Sequence, residues 1–290
     1  MTSTLKYFGQ TLKGFYDLIR FPNLLIIVLT EYLVLICLVG PKEEWFAHLL
    51  DFKFAFLVFS TVLIASAGYI INDYYDIKID LINKPDKVVV GHKLPRRTAM
   101  IGHFALNFIG ISIGFSLNIY VGLINFFAGF FLWLYSNQLK RLPFVGNFVV
   151  SILTAASVWI VAVYFNRHDP LIYVFSTFAF FTTLMREVIK DMEDLRGDKT
   201  FGCRTLPIIW GYRRTKRFIY GILASFIITV VYIILQAELP TLQIYFIFML
   251  LPAGYFVYKL YWCDTQKGFR FLSHFLKGVM LSGVLVILLV

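Results

Sequence analysis

The chain has 290 residues, of which 59% are hydrophobic and only 15% are charged, and its mean hydropathy is +0.75. This composition excludes an ordinary soluble globular domain. Apolar stretches of about 20 residues recur along the sequence, and each is long enough to cross the hydrocarbon core of a bilayer as a helix. The alternating polarity of barrel strands does not occur. The sequence therefore predicts an all-α, polytopic membrane protein.

Nine stretches are predicted to span the membrane within one domain over residues 1–290. The predicted spans are residues 22–40, 52–71, 97–116, 118–136, 145–165, 169–187, 215–236, 241–261 and 271–290. The segment before them, residues 1–20, carries Phe8, Leu12, Phe15 and Ile19 at helical spacing. It lacks the continuous apolar run and cleavage site of a signal peptide, so we expect it to lie at the membrane interface.

The basic residues are distributed unevenly between the loops. With the N-terminus inside, the inner segments hold 23 of the 27 lysine and arginine residues, and the outer loops hold only Lys42, Lys53 and Arg167. By the positive-inside rule, this asymmetry predicts an integral protein of the cell membrane whose N-terminus and large loops are cytoplasmic. The net charge of +10 reflects this bias, and no nucleic-acid partner is expected.

The acidic residues are concentrated in two short segments, each at the inner end of an apolar stretch. Together with Asp86 and Glu187, these segments hold nine of the 17 acidic residues. The first cluster follows span two and contains Asn72, Asp73, Asp76 and Asp80. The second follows span six and contains Asp191, Glu193, Asp194 and Asp198. Basic residues follow both clusters, and a repeat of this kind often shares a functional site.

Helical geometry places most of these oxygen-bearing side chains on one face of each helix. If the helix of span two continues through residue 80, one arc of about 100° holds Asn72, Asp73, Asp76 and Asp80. On one continuous second helix, an arc of about 60° holds Glu187, Asp191, Asp194 and Asp198. Glu193 would point away, and Gly197 is a residue at which that helix could end. Such ladders of oxygen atoms favour Mg²⁺ over softer metals.

A magnesium site at the mouth of an apolar bundle suits a phosphorylated lipid. Mg²⁺ usually binds through one or two carboxylates, water molecules and substrate phosphate. The metal and basic side chains would hold the anionic head while the tail lies among the helices. If the head is a diphosphate on an allylic carbon, the metal also stabilises the leaving group. An ion-coupled transporter is the alternative from another class, but transporter sites usually lie near the midplane of the membrane.

The two clusters together resemble the signatures of the UbiA superfamily of intramembrane prenyltransferases. The motifs that carry the resemblance are Asn72-Asp73-xx-Asp76-xxx-Asp80 with Asn83-Lys84-Pro85-Asp86-Lys87, Asp191-xx-Asp194-xxx-Asp198, and the loop Tyr135-Ser-Asn-Gln-Leu-Lys140-Arg141. The resemblance covers essentially the whole chain. It implies nine helices around a central apolar cavity. It also implies Mg²⁺-dependent loss of diphosphate from a polyprenyl diphosphate donor, then attack of a lipophilic acceptor on the allylic cation.

The resemblance also implies roles for individual residues at the matching motif positions. The first metal would be held by Asn72, Asp76 and Asp80, with Asp73 supporting. The second metal would be held by Asp191, Asp194 and Asp198. The diphosphate would be held by Lys140 with Arg141 nearby, and the ring of Tyr135 would position the donor or the cation. Lys84 and Lys87 are also expected near the diphosphate, although lysine lacks the bidentate fork of the arginine common there in the family.

The sequence leaves the acceptor open. The region of the second motif looks most like the branch that includes digeranylgeranylglyceryl phosphate synthase and chlorophyll synthase. A glycerol-phosphate lipid would need further basic groups, and Arg186, Lys190 and Arg204 are available, although the positive-inside rule alone accounts for such charges. An aromatic acceptor such as a quinone precursor, a chlorin or haem stays open. Asn23 in the first span is expected to line the cavity, and Glu31 either lines it or bonds another helix.

Overall fold

Nine long helices make up most of the chain that the computed structural model describes, which is residues 13–167, 169–237 and 240–289. They are α1 (Phe21–Val34, continued by a π-helical turn at Leu35–Val39), α2 (Phe52–Asn83), α3 (Arg96–Leu117), α4 (Ile119–Asn137), α5 (Val145–Phe165), α6 (Pro170–Glu193), α7 (Leu206–Ala237), α8 (Pro240–Trp262) and α9 (Gln266–Val286). Each contains a stretch long and apolar enough to cross a membrane, and the described ranges contain no strand. The predicted all-α, polytopic membrane class is confirmed.

Several helices continue past the apolar stretches from which they were predicted, and they do so at the polar ends. The helix α2 ends at Asn83 rather than residue 71, and α6 ends at Glu193 rather than residue 187. The helix α7 begins at Leu206 rather than residue 215, with a break at Gly211, where φ is 69°. Glycine adopts this left-handed conformation at little cost. Hydropathy reports the thickness of the bilayer core, so it could not locate these ends.

The contacts between Cα atoms divide the described chain into two units. The first unit consists of residues 13–29 and 46–139. The second unit consists of residues 30–45, 140–167, 169–237 and 240–289. The single domain expected over the whole chain stays a prediction. Of the predicted interfacial segment, Phe8 and Leu12 lie outside the described residues.

In each unit, the helix that carries an acid cluster is the central one. In the first unit, α2 packs against both α3 and α4, and in the second unit α6 packs against α5, α7 and α9. Buried residues make up 67% of the apolar window of α2 and 61% of that of α6, against 17–39% for the other seven helices. Dense packing on several sides fixes the axis of each of these two helices and hence the position of its acid cluster within the unit.

The first unit is held together by small residues and by polar side chains buried between helices. Asn125 on α4 donates through Nδ2 to Ser60 Oγ on α2 at 3.0 Å and to the Gly110 carbonyl on α3 at 3.2 Å. A Cβ atom at Gly68 would collide with the Leu132 side chain, so glycine permits the close approach of α2 and α4. Small residues and interhelical hydrogen bonds are typical of packing in lipid, where the hydrophobic effect does not drive helices together.

The second unit has a core of large side chains around α6. Val188, Ile189 and Met192 of α6 are fully buried in one cluster with residues of three further helices, among them Ile219, Leu260 and Phe269. At the other end of α6, the ring of Phe178 lies where a Cβ atom at Gly283 on α9 would be. The acid cluster at the end of α6 therefore follows a rigid, well-packed segment.

Replacing Asn125 with leucine should destabilise the first unit, because both hydrogen bonds to α2 and α3 are lost. Interhelical hydrogen bonds in membranes contribute about 0.6 kcal/mol each and at most about 1.7 kcal/mol. We expect a lower unfolding temperature in detergent, measured by intrinsic fluorescence. Leu123→Ala on the exposed face of α4 is the control and should change it little. An Asn125→Leu variant as stable as the wild type would show that these bonds do not stabilise the unit.

Candidate metal and diphosphate site

The first acid cluster lies on an uninterrupted helix. Because α2 continues to Asn83, the helix passes residue 80, which is the condition under which the four side chains were expected to share one face. The cluster extends over about 12 Å of helix on one face. All four of its side chains are half-buried: Asn72, Asp73, Asp76 and Asp80.

Asp73 has a cationic partner from the segment before α1. Arg20 donates through Nη2 to Asp73 Oδ1 at 3.0 Å, and its guanidinium lies 4.9 Å from the centre of the Tyr69 ring. Asn23 lies beside the same ring and donates to the Tyr69 hydroxyl at 3.4 Å. The Arg20 guanidinium already compensates the charge of Asp73, which agrees with the supporting role expected for this acid. The sequence did not indicate that Arg20 pairs with Asp73.

The loop after α2 places the two predicted lysines differently. Lys84 caps α2, and its backbone N–H donates to the Asp80 carbonyl at 2.7 Å, so it stays next to the cluster. Lys87 ends the 3₁₀ turn Pro85–Lys87 and is exposed. Val89 and Val90, further along the loop, are buried in a core with Leu18, Ile70 and Ala99. The loop is therefore anchored to the first unit just beyond its lysines.

The second cluster does not lie on one continuous helix, so the predicted arc is wrong beyond Glu193. The backbone leaves the helix at Asp194, with φ of −92° and ψ of 8°, and a short helix follows at Leu195–Thr200. Gly197 lies inside this short helix and does not end it. The turn nevertheless brings the Asp198 carboxylate within electrostatic range of Asp191. A turn, and not helical periodicity, therefore brings Asp198 into this range of Asp191.

Three acids of this region have partners from different parts of the second unit. Asp191 accepts from Asn147 Nδ2 of α5 at 2.9 Å, and buried Glu193 accepts from Arg270 Nε of α9 at 2.9 Å. Glu187 accepts from Arg186 at 2.8 Å and from Lys190 at 3.4 Å. Glu193 and Asp191 face different helices, as their spacing predicted.

Sequence reasoning missed Asn147 and Arg270, for different reasons. Asn147 is a polar residue inside a predicted span, and such residues deserve notice as candidate site residues. Arg270 resembled an ordinary positive-inside residue, and no local pattern indicated its partner 77 positions away.

The short loop between α4 and α5 lies beside the segment that follows the second cluster. Lys140 and Arg141 form a 3₁₀ turn with Leu139, and the Arg141 carbonyl accepts from the Arg204 backbone N–H at 2.8 Å. Lys140 is half-buried and Arg141 is exposed. Tyr135 is a half-buried residue near the end of α4 in the first unit. The structure therefore groups the basic loop with the second acid cluster.

The ligands that these clusters offer suit magnesium. They are carboxylate and amide oxygens, which hard divalent cations prefer, and no cysteine or histidine belongs to either cluster. Within residues 13–167, 169–237 and 240–289, no three acidic, histidine or cysteine side chains are gathered into a group that could hold a metal alone. A site that takes one or two carboxylates from the protein, with phosphate and water for the rest, fits this arrangement.

Comparison with known families identifies the class of protein. Residues 32–279 match the model of the UbiA prenyltransferase family. The chain belongs to this family, and it is a membrane prenyltransferase. Both the expected family and the expected enzyme class are confirmed, which decides against the ion-coupled transporter.

Individual relatives agree with the family match. Digeranylgeranylglyceryl phosphate synthase from Thermococcus sibiricus is 33% identical over 207 residues, 71% of each chain. The protein of the same name from Saccharolobus solfataricus is 29% identical over 287 residues, 97% of each chain. The structure of a UbiA homologue from Archaeoglobus fulgidus bound to DMAPP and Mg²⁺ matches with a TM-score of 0.67 over 96% of this chain and 99% of that one. At 16% identity, that likeness concerns the fold.

The ion pair between Glu193 and Arg270 should stabilise the second unit. Replacing Arg270 with methionine leaves a carboxylate that is 5% exposed without this partner. We expect a loss of about 1.5–3 kcal/mol, as for a hydrogen bond to a charged group, measured as a lower unfolding temperature in detergent.

The double variant Glu193→Leu with Arg270→Met is the matched control. Removing the buried carboxylate together with its partly exposed partner leaves no unpaired buried charge, so the double variant should recover most of the lost stability. A single Arg270→Met variant that unfolds at the wild-type temperature would show that the pair adds nothing.

Proposed function

We propose that this enzyme transfers a geranylgeranyl group from its allylic diphosphate to geranylgeranylglyceryl phosphate in a Mg²⁺-dependent reaction. The observation that carries the proposal lies in the second unit, where hydrogen bonds join the Lys140–Arg141 loop and the start of α5 to the segment with Asp191 and Asp198: Arg204 N–H to the Arg141 carbonyl at 2.8 Å, and Asn147 Nδ2 to Asp191 Oδ2 at 2.9 Å. Anionic oxygens that suit a divalent cation, next to cations that suit a phosphate, are what a metal-bound diphosphate requires. The names of the relatives support the acceptor.

The residues of the chain divide the chemical work. The first cluster would hold one metal ion through Asn72, Asp76 and Asp80, and the second cluster would hold another through Asp191, Asp194 and Asp198. Bound Mg²⁺ would stabilise the negative charge that develops on the departing diphosphate. Lys140 donates a charge-assisted hydrogen bond to a diphosphate oxygen, and Lys84 stands beside the first cluster for the same purpose. The ring of Tyr135 faces the donor or the allylic cation.

The bond changes follow from the proposed substrates. The bond between the allylic carbon and the diphosphate oxygen breaks, and its electron pair leaves with the diphosphate. A hydroxyl oxygen of the acceptor forms the new ether bond to that carbon and releases its proton. The apolar helices on which both clusters are mounted keep the prenyl chains of donor and acceptor out of water.

A phosphate on the acceptor would suit the basic residues at the end of α6. Arg186 and Lys190 both bond Glu187, so the three side chains carry one positive charge in excess. The Nε of Arg186 is buried and makes no hydrogen bond with the described residues. Arg186 thus keeps donors for an anionic group, whereas an aromatic acceptor without phosphate would leave them unused. This favours a glycerol-phosphate lipid over a quinone precursor, a chlorin or haem.

The proposed reaction can be tested by identifying its product. The purified protein is incubated with geranylgeranyl diphosphate, Mg²⁺ and one acceptor at a time, and the products are identified by mass spectrometry. We expect a product with geranylgeranylglyceryl phosphate and not with 4-hydroxybenzoate, a naphthoate, a chlorin or haem. Asp76→Ala or Asp191→Ala should lower turnover by more than about 100-fold, since even residues that only support a metal ligand typically cost 10–100-fold.

Glu44→Ala is the matched control for these two variants, because Glu44 is an exposed acid outside both clusters. It should retain wild-type turnover. Normal turnover in Asp76→Ala or Asp191→Ala would contradict the metal site, and a product with an aromatic acceptor alone would contradict the proposed acceptor.

The role of Arg186 and Lys190 can be separated from donor binding. Arg186→Met and Lys190→Met should each raise the KM for the phosphorylated acceptor, because a charge-assisted contact contributes about 1.5–3 kcal/mol, or roughly one to two decades. The KM for the donor should stay within about twofold of wild type. Arg217→Met removes an exposed cation of α7 and is the control. An unchanged acceptor KM in both variants would assign these charges to membrane orientation alone.

We propose that the N-terminus and the large loops face the cytoplasm of a cell membrane. Single cysteines are introduced into a variant that lacks Cys37, Cys203 and Cys263. Cysteine in place of exposed Lys93, in the loop after α2, or of exposed Arg213, near the start of α7, should react with an impermeant thiol reagent only after cells are permeabilised, because the positive-inside rule puts both segments inside. Cysteine in place of exposed Glu43 should react in intact cells. The reverse pattern would overturn the orientation.

A further inference from the structure

The first turn of α5 carries a buried asparagine directly after the basic loop. The chain turns sharply at Phe144, whose φ is 66°, and α5 starts at the next residue. A bulky residue seldom adopts this left-handed conformation, so the turn is well determined by its surroundings. It places Asn147 one turn into α5, with 7% of the residue exposed.

Asn147 holds one oxygen of a proposed metal ligand. Its Nδ2 donates to Asp191 Oδ2 at 2.9 Å, from α5 to α6. The other carboxylate oxygen of Asp191, Oδ1, takes no hydrogen bond from the described residues. The terminal torsion of aspartate is broad and roughly two-fold, so a carboxylate without this contact would rotate more freely. The asparagine therefore fixes the plane of the carboxylate and leaves one oxygen for a ligand.

The chemistry of the partner matters as much as its position. Asp191 accepts from the neutral amide of Asn147, whereas the nearby Glu187 and Glu193 accept from cations. An arginine at position 147 would neutralise Asp191 and compete with a divalent cation. A neutral amide orients the carboxylate without forming an ion pair with it, so it does not compete with a metal ion for the carboxylate.

The same loop is bonded to the far end of the acid cluster. The Arg141 carbonyl accepts from the Arg204 backbone N–H at 2.8 Å, and the Asp198 carbonyl accepts from the neighbouring Cys203 N–H at 3.0 Å. The segment from Lys140 to Asn147 therefore contacts the cluster through Asp191 and, close to Asp198, through Arg204. These bonds fix the position of Lys140 relative to the two acids.

We propose that Asn147 is a positioning residue, which orients the Asp191 carboxylate for a divalent cation and keeps the Lys140–Arg141 loop in register with it. This inference rests on the Mg²⁺ site of the proposed function, and Asn147 itself need touch neither the metal nor the substrate. Residues that orient metal ligands in this way typically account for 10–100-fold in metal affinity.

Ser151 on the same helix distinguishes this role from ordinary helix packing. It is fully buried one turn after Asn147, and its Oγ donates to the Asn147 backbone carbonyl at 2.6 Å. It does not bond Asp191. If Asn147 merely joined two helices, Ser151→Ala and Asn147→Leu would each lower the stability of the protein and leave metal binding unchanged. If Asn147 positions Asp191, only the change at Asn147 alters metal binding.

The test measures binding of Mn²⁺, a paramagnetic substitute for Mg²⁺, to the purified full-length protein by electron paramagnetic resonance. An unreactive thiolo analogue of geranylgeranyl diphosphate is present. We expect Asn147→Leu to weaken Mn²⁺ binding by about 10–100-fold and Ser151→Ala to leave it unchanged. In the Asp191→Asn background, Asn147→Leu should not weaken Mn²⁺ binding further. The carboxylate that Asn147 orients is then already absent, so the two changes are not additive.

Asn147→Ala guards against an artefact of packing, since it loses the same donor while leaving a smaller side chain. Size-exclusion chromatography and the unfolding temperature identify the folded variants. Mn²⁺ affinity within about twofold of wild type in a folded Asn147 variant, or an equal loss in Ser151→Ala, would overturn the positioning role alone. Absence of saturable Mn²⁺ binding to the wild type, or unchanged binding in Asp191→Asn, would overturn the proposed metal site and this inference with it.

Discussion

The cost of carboxylate charges at the ends of apolar helices is the constraint on which the rest of the structure depends. Charges near an apolar medium are costly unless they are paired or hydrogen-bonded. Arginine or lysine partners neutralise three of the acids: Asp73 through Arg20, Glu187 through Arg186 and Lys190, and Glu193 through Arg270. Asp191 differs, because its hydrogen-bond partner is the neutral amide of Asn147. Among the described residues, Asp73, Glu187 and Glu193 thus pair with cations, whereas Asp191 accepts from a neutral donor through one carboxylate oxygen.

The two acid-bearing helices meet this constraint in different ways. The helix α2 passes beyond its apolar stretch without a break, so its acids keep helical spacing. The helix α6 ends at Glu193, and the turn at Asp194 brings Asp198 back into electrostatic range of Asp191. A ladder along one helix places acids about 5–6 Å apart per turn. A turn can bring two acids together from separate helices. The repeat between the clusters is therefore one of position and chemistry rather than of backbone geometry.

The sequence was sufficient for features that depend on local pattern. Apolar stretches predicted the nine membrane helices, and the spacing from Asn72 to Asp80 predicted a one-sided face, because both follow from the period of the α-helix. It failed where the backbone left that period, at Asp194 and at Gly211. The partners Asn147 and Arg270 lie 44 and 77 positions from the acids they bond, so only the packing of α6 against α5 and α9 reveals them.

The ion pairs of Glu187 also bear on the choice of acceptor. Glu187 binds two cations at once, which holds Arg186 and Lys190 at the end of α6 without neutralising both. Glu187 thus holds two cations side by side and leaves one net positive charge, which suits an anionic phosphate. One net positive charge attracts a phosphate monoester, which carries up to two negative charges, more strongly than a singly charged carboxylate, so these side chains support the phosphorylated acceptor that we propose over a benzoate or a naphthoate.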